Sequence, residues 1–219
     1  MNISTTILLV VLVVIALPVL RALFRVLLAR LAGGVVLKAI GTDALAKQPE
    51  AIHLVPLTTS AWKNPGAINR LAEPLLARGF SAAGDYSIPE LRGVMVRFLM
   101  NGERGVFACL YEHPKAGTWM ELVSRYQDGT GATFTMMRDR GIQHRPQNMV
   151  VHAPGSAPGE LLDRMVRGRP NRALVPLSAE KIVQLFEEAY REQLAWQKSR
   201  GGLSVKEVAR VITTRENRV

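Results

Sequence analysis

Cys109 and His113 stand four positions apart in a run that reads as a β-strand, so their side chains share one face, with Glu112 on the other. A thiolate and an imidazole so placed could share a soft-metal site with His144 or His152. The spacings match no common zinc pattern, and His144 and His152 fall at loop or edge positions. No metal and no cofactor are expected. Cys109 is the single cysteine, so no intrachain disulfide forms. Between Phe107 and Tyr111, it reads as a buried thiol.

Asp85, Glu90 and Glu121 are the carboxylates placed to approach a sheet. Acid–base work would need burial and a partner to shift their pKa values. On that reading Asp85, His113 and Glu121 are the catalytic candidates. The plainer reading puts Asp85 and Glu90 in solvated loops and Glu121 in a cross-strand ion pair with an arginine, and it is the expectation here.

Familiar signatures are missing. There is no phosphate-binding GxxxxGK[ST] loop, and Gly129-Thr130-Gly131 lacks the third glycine of a dinucleotide fingerprint. Gly155-Ser156 sits among prolines, outside the strand-to-helix context of a nucleophile elbow. No HExxH, CxxC or EF-hand loop occurs.

The elements that would position these residues come from periodicity. Ile52 to Leu57 reads as a first strand. Asn64 caps a helix with Pro65 at its first position, and Ile68, Leu71, Leu75 and Leu76 recur at helical spacing. Pro74 is expected to kink or split that helix, and Gly79 to end it. From Arg92 to Met137 the pattern changes to period two. Val94, Val96, Phe98 and Met100 alternate with Gly93, Met95, Arg97 and Leu99. Glu121 and Arg125 share one face of their strand, with Met120, Leu122 and Tyr126 on the other. Such alternation marks half-buried antiparallel strands. Turn-rich connectors at 101–104, 114–117 and 127–130 have hairpin length. A four-strand meander follows, to which Ser81–Tyr86 and Met149–His152 are candidate additions.

The last third is helical. A short helix spans Leu161 to Val166, closed by Gly168 and Pro170. Ser178 caps a long helix that Gly201-Gly202 stops. Ser204 and Glu207 have the spacing of a capping box for a final helix. The fold class is α+β: an antiparallel meander packed with helices and a helical C-terminus.

The N-terminus carries a different signal. Ile3 to Leu20 holds no charge, and Ile7 to Ile15 is only Ile, Leu and Val. A spanning helix needs about 20 apolar residues, which this run nearly supplies. Arg21, Arg25 and Arg30 follow it, with Lys38 further on, and these are the expected membrane-interface residues. A cleaved signal would carry its positive charge before the apolar run. The reading is therefore a single-pass anchor, with residues 23–40 either continuing the span or lying in the interface. Domain organisation follows: 1–40 as anchor and juxtamembrane helix, 41–50 as linker, and 51–219 as one soluble domain. All basic residues lie after the span, which places the N-terminus outside and the domain in the cytoplasm, at the inner membrane.

The formal net charge is +10. Seven arginines (Arg138, Arg140, Arg145, Arg164, Arg167, Arg169 and Arg172) form the one regional basic cluster. Anionic lipid or an acidic partner would suit it; a solvated face is the plainer reading. Nucleic acid is not expected, because no lysine–arginine run and no interleaved aromatics occur. Arginine outnumbers lysine 21 to 7, the bias of a GC-rich bacterial genome.

These observations favour a non-enzymatic accessory or scaffolding protein, anchored in the bilayer and binding a protein partner, as a small subunit of a membrane complex. Trp62, Trp119 and Trp196 would supply contact anchors if they are not core. Two alternatives stand beside it. One is an enzyme on a lipid or membrane-derived substrate, with its site between sheet and helices; the other is an anionic-lipid-binding domain. A reporter active only outside the membrane, fused to the C-terminus, is expected to stay silent; strong activity would reverse the orientation.

Overall fold

The computed structural model describes residues 38, 43, 46–58 and 61–216. The anchor and Arg21, Arg25 and Arg30 lie outside the described residues. Lys38 is described and exposed. Among the described residues no helix is long and apolar enough to cross a membrane.

Seven strands form one sheet in chain order: β1 Val55–Pro56, β2 Ser81–Ser87, β3 Met95–Asn101, β4 Val106–His113, β5 Gly117–Arg125, β6 Gly131–Thr135 and β7 Asn148–His152. Every neighbouring pair is antiparallel except β6 and β7, which run parallel. The antiparallel reading thus becomes a mixed sheet. Alternation reports which face a side chain takes, and says nothing of the direction of the neighbouring strand. A parallel pair needs a crossover, and residues 136–147 supply it.

Both faces of the sheet are covered, so the half-buried expectation is corrected for its centre. Met95, Leu99, Val106, Ala108, Leu110, Met120 and Leu122 pack under two helices, α1 (Pro65–Leu76) and α2 (Pro158–Gly168). Val94, Val96, Phe98, Phe107 and Cys109 pack under a third, α3 (Ala179–Ser199). The alternation in β3 was of apolar with largely apolar residues, which is the mark of a strand buried on both sides.

Local signals held where the chemistry is local. Asn64 accepts from the Ala67 amide at 3.0 Å with Pro65 at the first helical position. Ser178 caps α3 through the Lys181 amide at 3.1 Å. Pro74 neither splits nor stops α1, which runs on to Leu76. It sits in the last turn, so little hydrogen-bonded helix follows it to be disrupted.

The capping box is complete in α4 (Val205–Glu216). Glu207 accepts from the Ser204 amide at 2.8 Å, and its own amide donates to the Ser204 hydroxyl at 3.3 Å. The same carboxylate takes the Gln143 amide at 2.8 Å and Arg200 at 3.3 Å, so it also fastens the β6–β7 crossover. Only 2% of Glu207 is exposed. Burial pushes its pKa up, but the bonds from Ser204 and Gln143 and the Arg200 charge outweigh this and bring it down to about 2.

Glu207→Ala strands these buried donors, each at a cost of about 1–3 kcal/mol, and is expected to lower Tm in thermal unfolding. In the wild type this contribution is complete above the ordinary glutamate range and is lost as pH falls toward about 2.

Candidate functional site

The polar candidates separate onto different faces. Asp85 lies in β2 and faces α1. Its carboxylate takes Arg97 Nε at 2.7 Å and Nη2 at 2.8 Å, and the Trp62 indole N–H at 2.8 Å. Its pKa is lowered: burial pushes it up, and Arg97 and Trp62 pull it further down. This half-buried fork corrects the solvated-loop reading and leaves the carboxylate no free oxygen. Glu90 is engaged too, holding the His53 ring at 2.6 Å. His113 closes the β4–β5 turn, where Nδ1 accepts the Lys115 and Ala116 amides at 3.0 and 3.1 Å. Glu112, on the opposite face, takes the Lys63 and Asn64 amides at the start of α1. Asp85, His113 and Glu121 are therefore not one constellation.

Glu121 is different. Registered pairs set Cys109, Glu121, Thr135 and His152 in one row across β4 to β7, all facing α3. Tyr111 donates to Glu121 Oε2 at 3.3 Å and Thr135 to Oε1 at 3.1 Å. Among the described residues no arginine pairs with it, so the cross-strand ion pair is corrected. Burial pushes the Glu121 carboxyl above the ordinary range. The Thr135 and Tyr111 hydroxyls, the nearby Trp119 indole and the His152 charge offset this only in part. The Trp119 N–H itself is buried without a hydrogen-bond partner. Burial, then the Glu121 charge, also pushes up the Cys109 thiol, so it is no thiolate nucleophile.

His152 directs Nδ1 at the Met137 carbonyl, 2.9 Å away. A carbonyl only accepts, so Nδ1 carries the proton and Nε2 faces Asp139 at 3.8 Å. His144 lies at the rim, its ring centroid 6.3 Å from that of His152. Water lost from its inner side, and then the His152 charge, lower its pKa. Among the described residues no three of His, Cys, Asp and Glu are placed to hold a metal ion.

These groups border a cavity of about 310 Å³ between the sheet and α3. Phe107, Val123, Val150, Leu185, Phe186 and Ala189 make its walls apolar. Glu121, Thr135 and His152 form one polar end, and Arg125 and Asn148 the other. The crossover roofs it. Gln193 of α3 accepts the Arg145 amide and donates to the Gln143 carbonyl, holding that loop against the helix.

The basic cluster disperses. Arg145 turns inward to Glu192, and Arg169 to Ser124. Arg164 pairs with Glu160 along α2 and Arg172 with Asp128. Arg167 is exposed on α2, Arg138 is exposed on the crossover, and Arg140 is half-buried there. Of the tryptophans, Trp62 is buried under Arg97, while Trp119, stacked on Tyr111, and Trp196, beneath Arg200, are half-buried.

Sequence reasoning placed Glu121 and Arg125 on one face but missed Arg125, Tyr111 and Thr135 as site residues. The readable signal was an acidic and a basic residue on the same face as Val123. No family model, curated protein or solved structure matches this chain.

A raised carboxyl pKa makes stability complete below the ordinary glutamate range and lost as pH rises through the folded value. Glu121→Gln is therefore expected to unfold at higher temperature than the wild type at pH 8. The two should converge near pH 4, about the ordinary value. A wild type more stable than the variant at pH 8 would contradict the assignment.

Proposed function

We propose that this chain is a small-molecule-binding protein, held at a bilayer by its first residues, whose ligand lies between the sheet and α3. The observation that carries the reading is the cavity. Its volume is at the lower end of ligand sites, which span about 300–1,000 Å³. Its walls are apolar, and a few polar groups converge at two ends, the pattern of an orienting site.

The sequence-level alternative of a site between sheet and helices is thus the one with a specific feature behind it. An enzyme on a membrane-derived substrate would use the same space, with Glu121 as its acid. Partner binding has less support. The exposed large apolar residues among those described are Val55, Leu76, Val166 and Val205, one on each of β1, α1, α2 and α4. Scattered singly, these need no partner to explain them.

Ala189 faces the cavity from α3. Ala189→Trp fills existing space and is expected to keep the fold, as read by circular dichroism and cooperative unfolding, while abolishing uptake of small amphipathic molecules. Ala189→Leu should reduce uptake to an intermediate degree. Undiminished uptake by a folded Ala189→Trp protein would overturn the reading.

A further inference from the structure

The Arg125 end of the cavity has an imbalance of charge. Arg125 and Arg145 both direct Nη2 at a single oxygen of Glu192, leaving two cations against one carboxylate. Glu192 remains 39% exposed, whereas the Arg125 side chain is 8% exposed. That Glu192 contact, at 3.2 Å, is the side-chain hydrogen bond Arg125 makes among the described residues, so its Nε and Nη1 donors have none. A guanidinium with so little access to water and one shared carboxylate partner is costly to keep.

Its surroundings are also incomplete. Arg125, Gly131 and Asn148 are registered across β5, β6 and β7. Gly131 has no side chain, so Arg125 and Asn148 close over it. A Cβ there would meet Asn148 Oδ1 at 3.1 Å and Arg125 Nη1 at 3.3 Å. Asn148 Oδ1 and Arg145 Nε are both buried with no hydrogen-bond partner. The Arg125 guanidinium, with donors that Glu192 does not meet, thus lies at one end of a space with apolar walls. Glu121 lies four residues along the same strand, about 13 Å away at the usual rise.

We infer that the ligand is an elongated organic anion, a carboxylate or phosphate monoester, whose head sits on Arg125 and whose apolar body lies beneath α3 toward Glu121. This rests on the cavity reading above. An anionic head supplies acceptors for the Arg125 donors that Glu192 does not meet, through charge-assisted hydrogen bonds. The same field disfavours an amine. Asn148 lines the same end of the cavity and would flank the head. The apolar walls hold the body by burial rather than by pairing.

Equilibrium dialysis of labelled octanoate, octyl phosphate, octanol and octylamine against the full chain in nanodiscs tests this. Ala189→Trp protein in the same nanodiscs gives the baseline for uptake by lipid. Octanoate or octyl phosphate is expected to bind at least tenfold more tightly than octanol or octylamine. Arg125→Gln should remove that preference, and Arg125→Lys should retain part of it. The ranking of probes by the wild type stands even if a variant folds poorly. Octanol or octylamine binding as tightly as the anions, or a preference that survives Arg125→Gln, would overturn the anion assignment and leave the cavity reading intact. If no probe binds above baseline, both fall.

Discussion

The central strands are apolar on both faces, and the arrangement of the other elements follows from that. Met95 and Leu99 point one way from β3, while Val96 and Phe98 point the other. A sheet of this kind must be covered twice, because either face left in water would forfeit about 25 cal/mol for each Å² of apolar surface. On one side α1 and α2 supply the cover and the packing is continuous. On the other, α3 covers the β2–β4 half well, with Ile182 and Leu185 buried against it. Toward β5–β7 the sheet changes character: Glu121, Arg125, Thr133, Thr135, Asn148 and His152 all face the helix. A single helix cannot seal a surface that mixes these groups with Val123 and Val150, and the space left is the cavity.

The crossover over that space is fastened to the helices by polar contacts. Gln193 clamps the crossover from α3, and Glu207 clamps it from α4. The start of the described chain is tied to the same helix, through Tyr190 to the Pro49 carbonyl and Lys198 to Glu50. Within the cavity a protonatable carboxyl and an under-partnered guanidinium are kept where apolar residues would pack more stably. Groups that cost stability in a cleft are where function concentrates.

Much of the framework was legible because its causes are local. The caps at Asn64, Ser178 and Ser204 depend on a side chain reaching an amide two or three residues away, so spacing alone reveals them. Hairpins joined by short, glycine-bearing turns leave their strands little choice of neighbour. The parallel pairing of β7 was not legible, since it depends on where a crossover of irregular structure lands. Asp85 was hidden for a similar reason. Its fork with Arg97 joins two strands across a bulge between Ala82 and Gly84, and Trp62 reaches it from before α1.

The sequence by itself determined the α+β class, most element boundaries and the alternation that sends Glu121 and Arg125 to one face. Each follows from a period or a capping pattern confined to a few residues. Only the tertiary structure decided that Glu121 faces the cavity, bonded to Tyr111 and Thr135 instead of an arginine, and that Asp85 is already paired. Only it brings Arg125 and Asn148, from two strands, to one end of a cavity, with Arg145 of the crossover sharing the Glu192 carboxylate of Arg125. Burial and charge balance are sums over neighbours distant in the chain, and no local pattern carries them.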